Sequence, residues 1–487
     1  MAELMQASGE AYGRSYVGGQ WVEGEDGATF EVRAPADGRR LGVAADCGTK
    51  VALSAIAAAT DALAKWRALA AHERAEYLHR FAELMLRDRE RLAALMTAEQ
   101  GKPSSEARGE VDYAAGFLSW SAEEGRRITG ETLPAPVAHK RIFVLRQPVG
   151  VTAAITPWNF PMAMITRKLG PALAAGCTQV VKPAEQTPLC AVALAELAHE
   201  AGLPPGVFNL VTSSAPEAIG RLFCEDQRVR KISFTGSTEV GRILVRQSAG
   251  NLARLSLELG GHAPVIVFDD ADLDKAVEGI MASKFRNAGQ TCVCVNRIFA
   301  QRGIAPALLE ALSTRIEALV VGPGDAEGSE IGPLIDDAAM RKVAEHVQDA
   351  VHAGARVVVG ASPRSDLGER FYAPTLLADV PVHSRIMSEE TFGPVAPVTL
   401  FDTEEEALRL ANDTPYGLAA YFFTRDGARI LRVAEGLEYG IVGANDGRPS
   451  AVMAPFGGMK ASGRGREGGK YGVDAYLERK YLSWALD

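Results

Sequence analysis

The sequence predicts an α/β protein built on two mainly parallel sheets with a cleft between them. Three observations carry this. From Val151 to Leu259, short apolar runs alternate with helical stretches at the spacing of βαβ units. From Val265 to Asn412 a second series repeats the style. The 487 residues suffice for about three domains.

In chain order, Ser15 to Val43 alternates β-favouring segments with Gly and Asp turns, which predicts small strands or a hairpin. Lys50–Leu69, His72–Gln100 and Asp112–Glu124 are Ala/Leu-rich with helical spacing and many charges, hence amphipathic helices. Arg141–Arg146 suits a strand that pairs with another chain. The first βαβ series reads strand at 151–155, helix at 167–175, strand at 179–181 and helix at 189–201. It continues with strand at 207–211, helix at 216–224, strand at 231–234, helix at 238–247 and strand at 253–259. The second reads strand at 265–268, helix at 273–287, strand at 297–300 and helix at 306–320. Helix at 341–353, strand at 356–359 and helix at 404–412 follow. The aromatic tail, Tyr471–Trp484, is expected to pack on a neighbouring subunit.

Composition narrows the function classes. A net charge of −9 without a long basic run argues against a nucleic-acid footprint. The six cysteines are scattered, unlike a disulfide framework, so a reducing, cytoplasmic setting is expected. Eight histidines fall at no metal-ligand spacing with the cysteines, so no metal is expected. Met1–Arg14 lacks the apolar core of a signal peptide, and no apolar run is long enough to cross a bilayer.

The chain is organised around Phe285-Arg286-Asn287-Ala288-Gly289-Gln290-Thr291-Cys292-Val293-Cys294. A helix that stops at a glycine presents Cys292 on a turn, where a thiol can serve as a nucleophile; the plainer reading is a small buried side chain. Thr156-Pro157-Trp158-Asn159 follows a strand end. Asn159 can donate to a developing oxyanion or serve as a turn residue. Glu258, ending a mostly apolar strand, is either paired with a cation or tuned as a base. Phe234-Thr235-Gly236-Ser237-Thr238 joins strand to helix, as a pyrophosphate site or an ordinary capped helix would. Lys182 and Glu185 lie where a nucleotide ribose would sit, or form a solvated surface pair. Gly463-Arg464-Gly465-Arg466-Glu467-Gly468 spells G-x-G-x-x-G, but no strand leads into it, so it is rejected as a cofactor motif.

Taken in order, these segments resemble the NAD(P)-dependent aldehyde dehydrogenase superfamily from about Ser15 to Leu482. The resemblance implies a variant Rossmann cofactor domain (1–126 and 149–260), a second α/β catalytic domain (261–471) and a β oligomerisation hairpin (127–148 and 472–487). It implies Cys292 as nucleophile, Asn159 and the Cys292 N–H as oxyanion donors, and Glu258 as the base for water. Lys168 and Glu478 would assist proton transfer. Thr156, Pro157, Trp158, Gly236, Ser237 and Leu259 would line the cofactor. Lys182 and Glu185 would hold the adenosine ribose, and Glu390, near Phe392, the nicotinamide ribose. Glu185 favours NAD, with NADP possible. A homo-oligomer, dimer or tetramer, is implied.

Ile165-Thr166-Arg167-Lys168, Ser283-Lys284-Phe285-Arg286 and Cys292-Val293-Cys294 most resemble succinate-semialdehyde dehydrogenases. Arg167 and Arg286, with Ser450, are then expected to hold the far carboxylate of a small anionic aldehyde; the plainer reading makes both arginines surface-helix residues. Gly447-Arg448-Pro449-Ser450 departs from the expected apolar Gly-Leu-Ile-Ser stretch. Arg448 therefore adds a cation, and sulfolactaldehyde becomes a rival substrate, beside glutarate semialdehyde and neutral aldehydes. His262 replaces the usual Asn or Lys after Gly260-Gly261. Cys294, two residues from Cys292, is expected to form a redox-sensitive pair with it.

Overall fold

The computed structural model describes residues 11–486. Most of the Met1–Arg14 segment therefore lies outside the described residues. Two large sheets dominate. In the first, the strands Arg254–Glu258, Val229–Thr235, Val151–Ile155, Thr178–Lys182 and Phe208–Leu210 run parallel in that spatial order. Antiparallel strands flank them: Gly463–Arg464 on one edge, Ser15–Val17 and Gln20–Val22 on the other. In the second, Thr375–Ala378, Val395–Phe401, Val295–Gln301, Ala263–Val267, Ala419–Phe423 and Ile441–Ala444 are parallel, and Arg356–Val359 pairs antiparallel at the edge. Parallel strands covered on both faces bury nearly every side chain, so both series read as continuous apolar runs.

Each helix follows from its local sequence. Ala163–Ala175 is buried along its whole length, which its Ala/Leu/Met composition allows. It ends at Gly176, with φ +92°. Thr238–Ser248 starts at Ser237, whose hydroxyl accepts the Val240 N–H at 3.3 Å. The predicted helix 72–100 is two helices, Ala71–Arg87 and Arg89–Gln100, broken at Asp88. Asp88 binds Arg87 and Arg91 with its carboxylate, a local polar competitor that apolar spacing does not register.

Arg141–Arg146 lies within Lys140–Pro148. This strand pairs with Glu131–Leu133 and, over nine residues, with the tail strand Leu477–Ala485 of the same chain. The strand expected to seek another chain is thus satisfied on both edges internally. Tyr481, Leu482 and Trp484 stay exposed on this small sheet. No helix among the described residues is long and apolar enough to cross a membrane. No cluster of three or more His, Cys, Asp or Glu among them is placed to hold a metal.

One buried ion pair ties the layers together beneath the cleft. Lys102 and Glu110, both essentially inaccessible, form a short contact. Lys102 Nζ also donates to the Asn159 carbonyl oxygen at 2.8 Å. Glu110 Oε1 accepts the N–H groups of Met162 and Ala163 at 3.0 and 3.2 Å, at the start of the helix Ala163–Ala175. Removing one partner strands the other charge. Lys102→Met should therefore cost about 3–5 kcal/mol of stability, and Lys102→Met/Glu110→Gln should recover part of it, read from urea midpoints at unchanged slope.

Candidate active site

Two loops that leave the carboxyl edge of the first sheet meet the turn that carries Cys292, one through Asn159 and the other through Gly261, on the expected ligand face of an open parallel sheet. The helix Leu273–Lys284 stops one turn earlier than its spacing suggests. Arg286–Gly289 then forms a 3₁₀ turn in which Asn287, Ala288 and Gly289 all adopt positive φ (51°, 54°, 76°). Two non-glycine residues in that region are strained, and the strain is held by specific bonds. The Asn287 N–H donates to Glu106 Oε2 at 2.8 Å, and its amide Nδ2 donates to the Asn159 carbonyl at 3.1 Å. Gln290 Nε2 returns a bond to the Asn287 carbonyl at 3.1 Å, while its Oε1 accepts the Ile335 N–H at 3.0 Å. A Cβ on Gly289 would lie 2.2 Å from the Gly393 carbonyl oxygen; a Cβ on Gly393 would lie 2.3 Å from a methyl of Val343. The turn is thus packed backbone to backbone against the segment carrying Glu390 and Phe392.

Cys292 is partly exposed, whereas the other five cysteines are buried, and all six are free. Burial, followed by the charge of Glu390, pushes its thiol up to about 12; Arg167 acts in the opposite direction. Cys294 turns inward, its Sγ 3.5 Å from the carbonyl oxygens of Lys284 and Val295. Asn159 is buried and donates one amide N–H to the Gln290 carbonyl at 3.0 Å. That bond fixes the amide plane and leaves its second N–H available.

Glu258 ends its strand fully buried, with neither carboxylate oxygen bonded. Burial and then the neighbouring Glu467 hold its carboxyl well above the usual range, against Arg167, Lys168 and Arg466. Glu467 is the residue that sequence reading passed over, inside the rejected glycine motif. Its carboxylate binds Arg167 Nε at 2.8 Å, makes a short contact with Lys168 Nζ, and accepts the Ser233 hydroxyl at 3.3 Å. Lys168 also donates to the Thr235 hydroxyl at 2.7 Å. Glu478, expected to partner Lys168, instead lies exposed on the tail strand, paired with Arg254. The tail strand belongs to the separate three-stranded sheet, and every residue of it after Leu477 is exposed. Arg167 is buried, stacked on Phe456 at 4.1 Å and half neutralised by Glu467, with its Nη2 unbonded. It is not a surface-helix arginine.

The cofactor candidates line one continuous edge. The Thr156 N–H donates to the Lys182 carbonyl at 3.1 Å, and its buried hydroxyl has no partner. Pro157 and Trp158 follow, half-buried, and Trp158 meets Phe392 edge to face at 5.6 Å. Lys182 Nζ contacts Glu185 Oε2 at 3.0 Å. The Gly236 N–H donates to the Glu258 carbonyl at 3.0 Å, and a Cβ there would sit 2.4 Å from the Phe234 ring. Leu259 packs against Gly241. Glu390 Oε1 accepts the Gly261 N–H at 3.1 Å, and burial pushes its carboxyl up to about 7. His262 is completely buried and held neutral by burial and by Arg297.

A cleft of about 950 Å³ opens beside this centre, lined by Glu106, Phe160, Arg286, Arg448 and Ser450 among others. Arg286 stacks on Phe160 at 4.6 Å. Arg167 does not line this cleft.

This is the architecture of an aldehyde dehydrogenase. The profile of the aldehyde dehydrogenase family matches residues 21–482, and the chain belongs to that family. It is 55% identical to the NADP(+)-type succinate-semialdehyde dehydrogenase GabD of Escherichia coli over 473 residues, covering 97% of this chain and 98% of the relative. It is 54% identical to the glutarate-semialdehyde dehydrogenase of Pseudomonas putida, covering 96% and 97%. Among solved structures, the succinate-semialdehyde dehydrogenase from Burkholderia pseudomallei superposes with a TM-score of 0.96 at 52% identity, covering 97% of this chain and 98% of that one.

A thiol held as high as Cys292 reacts through a small, pH-dependent thiolate fraction. Iodoacetamide should label Cys292 first, at a rate rising about tenfold per pH unit between about pH 7 and pH 9. A plateau within that range would contradict the assignment.

Proposed function

We propose that the chain oxidises a short anionic aldehyde, succinate semialdehyde or a close analogue, to its carboxylic acid with NAD(P)+. The observation that carries the hydrolytic outcome is Glu258: a buried carboxylate, unbonded at both oxygens, at the strand end that faces the nucleophile's turn.

Cys292 loses its thiol proton to water at the partly exposed turn, a loss favoured by the Arg167 charge, and the thiolate forms the S–C bond to the aldehyde carbon as the C=O π pair moves onto oxygen. The oxygen that becomes negative is held by the free N–H of Asn159 and the Cys292 backbone N–H. Such a donor is worth about 2.7–4 kcal/mol in the transition state. The nicotinamide, when bound, takes the hydride. A thioester on Cys292 remains, and Glu258 removes a proton from the attacking water as the thiolate leaves. A base held above the ordinary carboxylate range is matched to that task, and its ionised fraction grows as pH rises. The Glu467–Lys168 pair sets the charge behind it.

The dinucleotide reading is supported by the partnerless Thr156 hydroxyl, the capped helix start at Ser237, the close approach at Gly236 and the two ribose-side carboxylates, Glu185 and Glu390. Lys182 is already matched by Glu185, so it offers a 2′-phosphate no free charge and the reading favours NAD. The domain division set out above, a homo-oligomeric state, a cytoplasmic location and the Cys292–Cys294 redox pair belong to the same reading. Arg286 and the free Nη2 of Arg167 are the groups assigned to the substrate's far anion, with Ser450 beside them. Glutarate semialdehyde is the alternative favoured by the relative from Pseudomonas putida, whose name carries that substrate.

Glu258→Gln should release one equivalent of reduced cofactor in a rapid burst and then turn over about 10²–10⁴-fold more slowly, with the thioester visible by intact mass; slow turnover without a burst would remove Glu258 from hydrolysis. Glu185→Ser should shift the NADP+/NAD+ ratio of kcat/KM towards NADP+ by about tenfold, measured by initial rates.

A further inference from the structure

Two recesses adjoin the nucleophile's turn. The large cleft carries mixed charge: Lys275, Arg286, Arg315 and Arg448 against Glu106, Glu110, Glu278, Glu330 and Asp446. The small one lies directly beside the turn, lined by the residues on either side of Cys292, Thr291 and Val293, and also by Arg286, Arg448 and Ser450. It has no carboxylate in its wall. Arg286 and Arg448 are its only charged residues, and both they and Ser450 also line the large cleft. The two guanidiniums therefore stand where the outer cleft meets the recess formed by Thr291 and Val293, the neighbours of Cys292.

Neither is consumed by the protein. Arg286 lies over the Phe160 ring and forms no ion pair with any described residue. Arg448 makes one long bond from Nε to the Ala282 carbonyl at 3.4 Å, and its two Nη groups bond no described residue. Its backbone N–H is held by Asp446 Oδ1 at 2.8 Å, and Pro449 follows, so the loop fixes where the side chain starts. The buried carboxylate of Glu106 accepts the Asn287 N–H and feels the charges of both Arg286 and Arg448 without pairing with either. Two guanidiniums that form no ion pair with a described residue, with the Ser450 hydroxyl beside them in a recess whose own wall has no acid, make a site for an anion.

We propose that Arg448 is a further specificity-determining residue, which joins Arg286 and Ser450 in a clamp on the terminal oxyanion of the aldehyde. The inference rests on the anionic-aldehyde reading above and extends it: Arg167 is buried and paired with Glu467, whereas Arg448 is exposed at the mouth and forms no ion pair with a described residue. The recognised chemistry is a small terminal oxyanion, carboxylate or sulfonate. A carboxylate presents two oxygens to the pair of forks, and a sulfonate adds a third for the Ser450 hydroxyl.

The test uses the intact enzyme and Arg448→Leu, with Arg448→Lys as the conservative variant. Succinate semialdehyde, a three-carbon sulfonated aldehyde and a neutral aldehyde of similar length are compared by initial rates, and succinate is used as a competitive inhibitor. Arg448→Leu should raise KM for the anionic aldehydes and Ki for succinate by about tenfold, with the salt dependence of kcat/KM reduced and neutral-aldehyde KM moved far less. Arg448→Lys should recover part of the loss. A larger loss for the sulfonate than for the carboxylate identifies it as the better-matched anion. Unchanged KM and Ki, or an equal rise for the neutral aldehyde, overturns the clamp while leaving the anionic-substrate reading intact. A wild-type enzyme with no preference for the anionic aldehydes overturns both.

Discussion

The site depends on a carboxylate placed among cations and out of water. Glu467 binds Arg167 and Lys168 at once, deep behind the strand ends, and its burial is tolerable only because both partners are present. That arrangement fixes the environment of Glu258, which has no bonds of its own and is perturbed by all three. It also decides how much of Arg167's charge reaches the cleft. The surroundings of Glu258, Lys168 and Arg167 are therefore set by one local charge balance, not by three independent residues.

A second constraint works from the opposite side. The Lys102–Glu110 pair holds the Asn159 carbonyl and the first N–H groups of the following helix. Asn287 donates to the same carbonyl, and Asn159 donates to Gln290. The oxyanion donor and the nucleophile's turn are thus braced on each other through main-chain atoms, so they move as a unit.

Much of this was legible in the sequence, and the failures have physical reasons. The first βαβ series was readable because buried parallel strands are short apolar runs bounded by turns. In the second, Thr375–Ala378, Val395–Phe401, Ala419–Phe423 and Ile441–Ala444 went unassigned: they are separated by Pro- and Gly-rich connections that mask the alternation. Cys292, Asn159 and Glu258 stood out because each sits beside a strand end or turn. Lys102 and Glu110 did not, since their partner relation exists only after helices pack. Glu467 was hidden for a sharper reason. The motif around it was rightly set aside as a phosphate loop, and its residues were set aside with it, although Gly463–Arg464 is the edge strand that delivers Glu467 to the site. Glu478 illustrates the converse error, a plausible acid in the right region of the chain but on an exposed strand of the separate small sheet.

The glycine contact behind the nucleophile reaches further than the turn itself. Gly289, Gly393 and a methyl of Val343 stack so closely that neither glycine can acquire a side chain without opening the stack. The turn that precedes Cys292 and the segment that carries Glu390 and Phe392 share this hard seam. A displacement of the Arg286–Gly289 turn is therefore transmitted by hard contact to the segment that carries Glu390, and the distance between the two segments is set by backbone atoms that no side-chain rearrangement can cushion.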